Sequence, residues 1–161
     1  MDSSVVFDRY YNLSLRYLSY RPRSEKEIVD YLNEKQKRKK ELTEDIVSEI
    51  ITKLKKYDFI DDRSFTKSWI DSRIKYKNKP IWIIRSELKQ KGISDELIDE
   101  SLPKTEIRET DLESAKKLAE KRKDFYRNLD EKKRDEKVMN YLLRKGFNWD
   151  VAKIVIKDDS D

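Results

Sequence analysis

The chain has 161 residues, of which 44% are charged and only 36% are hydrophobic, and its formal net charge is +5. An average globular protein has about 25% charged residues, so a stack of small helical units is favoured over one large spherical core. Two glycines and three prolines are too few for a turn-rich β sandwich or barrel. The composition therefore predicts an all-α protein.

The residues that most functional sites need are missing. The chain has no histidine and no cysteine, which excludes the usual general base near neutral pH, thiol catalysis, zinc–cysteine and iron–sulfur sites and disulfides. Gly92 and Gly146 are isolated, so no phosphate-cradling loop or dinucleotide fingerprint is present. We therefore expect no enzyme, no cofactor and no metal site.

The first residues carry charges and no long apolar run, and no stretch reaches the roughly 20 apolar residues of a membrane helix. We expect a cytoplasmic, monomeric protein.

Three helices are predicted in the first part of the chain. The first runs to about Tyr20, and its apolar stripe consists of Val6, Tyr10, Leu13 and Tyr17. Ser24 and Glu27 form a capping-box pattern before the second. Thr43 is placed to cap the third, whose stripe consists of Ile46, Ile50, Leu54 and Tyr57. The basic run Lys35–Lys40 is predicted to connect the last two helices.

The middle part has the same organisation. Asp61 and Asp62 provide a helix start, and the helix continues through Phe65, Trp69 and Ile70. A polar linker over residues 73–79 then leads to Pro80, predicted as the first residue of a second helix. That helix stops at Gly92, and Ser94 begins a short third helix.

The last part is predicted in the same way. Thr110 and Glu113 form a capping-box pattern for a helix that reaches Phe125 or beyond. Asp130 or Asp135 could cap the next helix, which ends at Gly146, and Asn148 caps the last.

One element recurs in all three parts: two apolar residues four apart, then a lysine three further on. Its copies are Ile28-Leu32-Lys35, Ile84-Leu88-Lys91 and Val138-Leu142-Lys145, with 56 and 54 positions between successive copies (84 minus 28, 138 minus 84). A near-constant interval indicates one folding unit used three times. We predict three tandem three-helix repeats, at residues 1–60, 61–104 and 105–161, in an elongated, gently curved right- or left-handed array.

Two motifs in the middle repeat carry a family resemblance. The first is Ile60-Asp-Asp-Arg-Ser-Phe65, followed by Trp69 and Arg73, and the second is Glu87-Leu-Lys-Gln-Lys-Gly-Ile93. They resemble the RecX family of bacterial regulators, which bind the RecA recombinase. Asp58 stands where the family usually has a glycine, and residues 75–79 lack the glycines common before Pro80.

The resemblance implies a modulator that lies in the helical groove of the RecA–DNA filament. Such a protein typically inhibits recombinase activity, ATP hydrolysis and the coprotease role of the filament. It would be no enzyme and would need no cofactor of its own. The partner would be the RecA filament, and single- or double-stranded DNA could be contacted as well.

Basic side chains are the candidate partner-binding residues. A strip of four alternates with Ile74, Tyr76 and Asn78: Arg73, Lys75, Lys77 and Lys79. Six further candidates are Arg85 and Lys89 on the next helix, Arg21 and Arg23 before the first-repeat helix, and Lys37 and Arg38 in the basic run. The alternative is that each set belongs to a solvated linker or helix face that binds no partner.

The tryptophans and the aspartate pair are better explained by the fold than by a functional site. Trp69, Trp82 and Trp149 could stack on bases but are more often core residues, with Trp82 the most exposed of the three. Asp61 and Asp62 resemble a metal pair, yet a helix cap and a first-turn acid explain both.

Two alternative functions remain. One is a helical nucleic-acid-binding protein that contacts DNA phosphates directly, and the other is a helical-repeat adaptor without any connection to DNA.

Overall fold

The computed structural model describes residues 2–103 and 107–157. Within these ranges the chain forms nine α-helices and no β-strand, which confirms the all-α prediction. The helices are α1 (Ser3–Ser19), α2 (Glu25–Arg38), α3 (Glu44–Lys56), α4 (Asp62–Lys75), α5 (Ile81–Gln90), α6 (Asp95–Ser101), α7 (Ile107–Phe125), α8 (Glu131–Arg144) and α9 (Trp149–Lys157). We call α1–α3, α4–α6 and α7–α9 the first, second and third triplets. The repeat boundaries at residues 60 and 104 stay a prediction.

The recurring element lies in the second helix of each triplet. All six of its apolar residues have zero exposure: Ile28, Leu32, Ile84, Leu88, Val138 and Leu142. Its lysines follow at the helix C-termini, where the helix dipole favours a positive charge. The Lys35 and Lys145 ammonium groups lie 5.1 and 5.5 Å from the ring centroids of Tyr31 and Tyr141. The repeated element is therefore a core ridge that ends in a cation.

Most predicted helix starts are confirmed. Ser24 and Glu27 form a complete capping box at α2. The Thr43 hydroxyl accepts from the backbone N–H of Ile46 at 3.4 Å. At α9 the Asn148 side chain accepts from the backbone N–H of Val151 at 2.8 Å. These starts depend only on side chains within three residues of the helix, which is why the sequence predicts them.

Four boundaries were wrong. Thr110 does not cap a helix, because α7 already begins at Ile107 and Thr110 is buried within it. α4 runs to Lys75, so the first three residues of the predicted basic linker are helical. α2 runs to Arg38 and takes up most of the basic run. Tyr57 lies beyond α3 and is exposed. Lysine, arginine and glutamine are good helix formers, and cations are favoured in a last turn, so these helices continue through their basic ends.

The chain divides into two compact units. The first consists of Met1–Lys67 and Leu88–Glu100, and the second of Ser68–Glu87 and Ser101–Asp161. The division therefore passes through α4 and α5. In the first unit α1, α2 and α3 pack on one another around a core that includes Ile28 and Leu32. In the second, α7, α8 and α9 surround a core that includes Val138 and Leu142.

Among the described residues, two that are not glycine adopt positive φ angles. These are Asp58, with φ 57°, and Asn78, with φ 45°. Both lie in the segments where the resemblance noted in the sequence implies glycine. Aspartate and asparagine tolerate the left-handed region better than other non-glycine residues, because their short side chains can hydrogen-bond locally. The chain thus keeps left-handed turns without glycine.

A specific junction joins α2 to the second triplet within the first unit. The Asp62 carboxylate accepts from the backbone N–H of Glu25, the first residue of α2, at 2.8 Å. The turn after α5 lies against the same helix end, since the Ser24 hydroxyl donates to the Lys91 carbonyl at 2.7 Å. A Cβ atom added at Gly92, where φ is +79°, would lie 2.7 Å from the Cβ of Lys26. Only glycine fits this approach.

The second unit contains the same junction between α5 and the third triplet. The Asp111 carboxylate accepts from the backbone N–H of Ile81, the first residue of α5, at 2.8 Å. Gly146, with φ +96°, occupies the place of Gly92, and an added Cβ would lie 2.4 Å from Cδ1 of Ile83. Each junction therefore has two parts: an aspartate that caps the second helix of the preceding triplet, and a glycine turn that packs on it.

The junction aspartates share an electrostatic environment. Burial raises the pKa of Asp62 and of Asp111 more than the backbone hydrogen bond lowers it, and in both cases the pKa is above its ordinary value. The folded protein thus stabilises the carboxylate charge less than water does, while the hydrogen bond to the helix N-terminus is favourable. The acceptor oxygen, and not the charge, should stabilise the junction.

Replacing Asp111 with alanine should lower the free energy of unfolding by about 1–2 kcal/mol, because the Ile81 N–H loses its acceptor. Asp111→Asn keeps an acceptor oxygen and removes the disfavoured charge, so it should change the free energy by less than about 0.5 kcal/mol. Urea unfolding at pH 7 measures both. An asparagine variant as unstable as the alanine variant would show that the charge is the stabilising element.

Candidate functional site

The four basic side chains of the strip around the α4–α5 turn divide into two pairs, Arg73 with Lys79 and Lys75 with Lys77. Arg73 Nε donates to Glu87 Oε2 at 2.9 Å, and Lys79 Nζ donates to Glu87 Oε1. Trp69 Nε1 also donates to Glu87 Oε2, at 3.0 Å, and the Arg73 guanidinium lies 3.8 Å from the centroid of the Trp69 ring. Glu87 therefore fixes Arg73 and Lys79 in an internal cluster.

The electrostatics agree with this arrangement. Burial alone would raise the pKa of Glu87, but the hydrogen bonds from Lys79, Arg73 and Trp69 outweigh it and hold the pKa below its usual range. The carboxylate is therefore charged at neutral pH. Arg73 and Lys79 both pair with it, so the carboxylate offsets one of their two positive charges.

Lys75 and Lys77 differ from their neighbours in the strip. Both are exposed, and neither forms an ion pair with any described residue. Tyr76 between them is 79% exposed and follows the last residue of α4. The left-handed Asn78 turns the chain back toward α5. We call residues 75–77 the α4 tip: two free cations that flank an exposed ring.

The first-triplet arginines are held in place by packing. Arg21 Nη2 donates to Glu27 Oε1 at 2.6 Å. The Arg23 guanidinium lies 3.4 Å from the centroid of the Tyr17 ring, and Arg23 Nε donates to the Tyr17 carbonyl at 3.1 Å. Tyr17 in turn stacks on Tyr31, with ring centroids 4.2 Å apart. These side chains join α1 to α2.

The candidates of the basic run lie on a helix. Lys37 pairs with Glu34 at 2.6 Å, and Arg38 is exposed at the end of α2. The predicted loop over this run was wrong, as only Lys39 and Lys40 lie beyond the helix.

The two candidates on α5 are also engaged with the protein itself. Lys89 pairs with Asp95, the first residue of α6, at 2.9 Å. Arg85 is half-buried. Lys89 is exposed but paired, and Arg85 is less exposed than the residues of the α4 tip.

Sequence reasoning missed two features. Trp149 was expected to pack but is 53% exposed. Asp62 is more than a first-turn acid, because it caps α2 across the junction. The recurrence of an aspartate at the start of the middle repeat and another in the first helix of the last could have suggested the shared role of Asp62 and Asp111.

Neither a metal-holding group nor a membrane-spanning helix is found among the described residues. Among them no group of three or more histidine, cysteine, aspartate or glutamate side chains is placed to hold a metal ion. In the same ranges no helix is long and apolar enough to cross a membrane. What these residues present is a surface of cations and exposed rings, which is suited to binding a partner.

Comparison with known families agrees with the arrangement in triplets. Three family models, for the first, second and third three-helix domains of RecX, match residues 11–54, 61–102 and 109–156. They occur in the same order along the chain and together cover most of it. The chain belongs to the RecX family. Its resemblance to that family, first apparent in the motifs of the middle repeat, is confirmed.

Relatives and solved structures support the assignment. "Regulatory protein RecX" of Oceanobacillus iheyensis is 36% identical over 161 residues, which is 98% of this chain and 56% of the relative. That of Limosilactobacillus reuteri is 38% identical over 92% of this chain and 54% of the relative. The crystal structure of RecX from Lactobacillus salivarius has a TM-score of 0.73 and 30% identity, covering 94% of this chain and 95% of that one. A second RecX crystal structure has a TM-score of 0.72 and 38% sequence identity. The match covers 94% of this chain and 73% of that one.

The chain spans about half the length of the curated relatives it matches. RecX domains are present here as three triplets, and the relatives are named regulatory proteins.

Proposed function

We propose that this chain is a regulator that binds a RecA–DNA filament and inhibits its recombinase, ATPase and coprotease activities. The observation that carries the proposal is the ordered set of three RecX domains across the chain. The protein would act by binding and not by catalysis, in DNA recombination, DNA repair and the SOS response. It would need no cofactor and would work as a monomer in the cytoplasm.

The α4 tip is the part of the basic strip that we assign to the filament. Arg73 and Lys79 are already paired with Glu87, whereas Lys75 and Lys77 have no carboxylate partner among the described residues. A free cation next to an exposed ring gives both charge attraction and a contact surface to a partner. The contribution of the other six basic candidates to partner binding stays a prediction.

The proposal is tested with the RecA protein of the same host. The purified chain should lower ATP hydrolysis and strand exchange by filaments on single-stranded DNA when it is present at near-stoichiometric or lower amounts. Unchanged rates over a full titration would overturn the proposal. Increased rates would retain filament binding and replace inhibition with activation.

Reversing both charges of the α4 tip, Lys75→Glu with Lys77→Glu, should weaken filament binding about tenfold or more. The thermal midpoint should fall only slightly, because both side chains are exposed and unpaired and only Lys75 lies in a last turn, where the helix dipole favours a cation. Arg73→Glu with Lys79→Glu is the matched control, since it reverses two cations of the same strip but breaks the Glu87 cluster. This control should lower the thermal midpoint, and it should weaken binding less than the tip variant does. Equal binding by the tip variant and the wild type would make the tip a solvated linker.

Direct contact with DNA phosphates is the alternative, and the α4 tip also favours it. Cations flanking an exposed ring suit single-stranded DNA, which binds through phosphate contacts and base stacking. A direct DNA binder should bind a naked oligonucleotide with steep salt dependence. The tip variant should then reduce the slope of log K against log salt by about 2, one for each lost phosphate contact.

A further inference from the structure

The two junctions have the same geometry but different side chains at two positions. Lys26 and Trp82 are each the second residue of the capped helix. Asp95 and Trp149 each follow the turn glycine by three residues. The first unit therefore has a lysine and an aspartate where the second unit has two tryptophans.

The polar residues of the first unit show that these positions do not need aromatic rings to form a junction. Lys26 pairs with Asp30 at 2.5 Å. In the second unit Trp82 is 60% exposed and Trp149 is 53% exposed, so neither ring is placed to fill the core. Large exposed aromatic side chains on either side of one turn mark an interaction surface.

Trp82 is held in a defined position. Trp82 Nε1 donates to the carbonyl of Gly146 at 2.7 Å. Trp149 begins α9, and the Lys153 ammonium lies 4.3 Å from the centroid of its ring. Rings that are already ordered lose little conformational entropy on binding, which is a property of interface anchor residues.

The charge around this pair is positive. Arg144 and Lys145 precede Gly146 directly, and Lys153 adjoins Trp149. None of the three cations forms an ion pair with a described residue. Asp150 lies in the first turn of α9, where the helix dipole favours its negative charge. The surface therefore complements one that is apolar at its centre and acidic at its edge.

We propose that Trp82 and Trp149 form a docking site for a protein surface that offers an apolar side chain bordered by carboxylates. The inference rests on the proposed function, and it places that surface on the recombinase filament. The tryptophans would supply the apolar contact, while Arg144, Lys145 and Lys153 would pair with the carboxylates.

The first unit supplies the substitutions that test the site. Trp149→Asp introduces the residue found at the equivalent position, and Trp149→Phe keeps an aromatic ring. Trp82→Lys is the second variant, although it also removes the hydrogen bond to Gly146. Val5→Lys, at an exposed apolar residue of α1, controls for the general effect of a new charge. The thermal midpoint of every variant is measured first.

Binding is measured by interferometry on filaments of the host RecA that are assembled on a biotinylated oligonucleotide with a non-hydrolysable ATP analogue. Trp149→Asp should weaken binding about 30-fold, as expected of an anchor residue. Trp149→Phe and Val5→Lys should bind within about threefold of wild type. Salt should weaken wild-type binding only modestly, since the central contact is apolar.

The possible outcomes distinguish failure of the docking site from failure of the proposed function. Wild-type binding that Trp149→Asp leaves unchanged would overturn the docking site and leave the regulator intact. A wild-type protein that does not bind filaments would overturn both. Two further assays use naked oligo(dT) and sedimentation of the free protein. If Trp149→Asp weakens only binding to the oligonucleotide, the rings contact nucleic-acid bases. If it weakens only self-association, they contact a second copy of the chain. Either result would overturn the inference.

Discussion

Replacing Gly146 with alanine is expected to lower the free energy of unfolding by about 2–4 kcal/mol, the sum of backbone strain and overpacking. The backbone φ of +96° strains any L side chain, and the new Cβ would lie 2.4 Å from Cδ1 of Ile83 and 3.3 Å from Cζ2 of Trp82. Trp82 cannot simply move aside, because it is hydrogen-bonded to the same turn. Urea unfolding followed by circular dichroism at 222 nm measures the change.

A double mutant separates the two causes. Ile83→Val removes Cδ1 and costs about 1 kcal/mol by itself. In the Gly146→Ala background it relieves the steric contact but not the backbone strain, so the two changes should couple favourably by about 1 kcal/mol. Strictly additive effects would show that the strain alone accounts for the loss.

Gly92→Ala is the counterpart in the first unit. There the added Cβ would meet Cβ of Lys26 at 2.7 Å, and every residue except glycine has that atom. Lys26→Ala removes only the outer side-chain atoms, so it should rescue Gly92→Ala less well than Ile83→Val rescues Gly146→Ala. The comparison tests whether the two junctions are equivalent in backbone but different in side-chain contacts.

The sequence predicted the features of the fold that depend on nearby residues. The capping box of Ser24 and Glu27 and the glycine ends of α5 and α8 are decided within one helical turn. The apolar pairs of the second helices could also be recognised, because burial of one helix face requires a spacing of three or four residues. The arrangement in triplets followed from the recurrence of these pairs.

Local patterns failed where a distant residue decides the outcome. Thr110 matches a capping box, yet it is buried inside α7. The strip of four basic residues is divided because Glu87 lies on the next helix, 14 residues after Arg73 and 8 after Lys79. No spacing rule within the strip could indicate which cations remain free. The capping of α2 by Asp62 likewise joins residues 37 apart in the sequence.

The exposed tryptophans show a different limit. All three tryptophans were expected to pack, with Trp82 the most exposed because it lies off the apolar stripe; its exposure of 60% confirms the ranking but not the packing. Trp149 was expected to pack in the first turn of α9, which was wrong, since its ring is 53% exposed. Hydrophobicity predicts burial only on average, and a residue that serves a partner departs from that average.

Glu27→Gln should lower the free energy of unfolding by about 2 kcal/mol at pH 7, the typical value of hydrogen bonds to a charged group. Burial alone would raise the pKa of Glu27, but hydrogen bonds from Arg21, Lys91 and the Ser24 backbone N–H outweigh it and lower the pKa from 4.5 to about 2. The carboxylate joins the start of α2 to Lys91 at the first junction, at 3.0 Å. A neutral glutamine amide cannot provide the charge that these donors require.

The sign of the pH dependence follows from the lowered pKa. Because the folded pKa lies below the unfolded one, the stabilisation by Glu27 is complete above about pH 5.5 and is lost as the pH falls from 4.5 toward 2. The stability curves of the wild type and of Glu27→Gln should therefore converge near pH 2. Glu49→Gln is the control, since Glu49 is exposed on α3 and forms no ion pair with a described residue. A wild-type advantage that is independent of pH would mean that the shape of the Glu27 side chain, and not its charge, secures the junction.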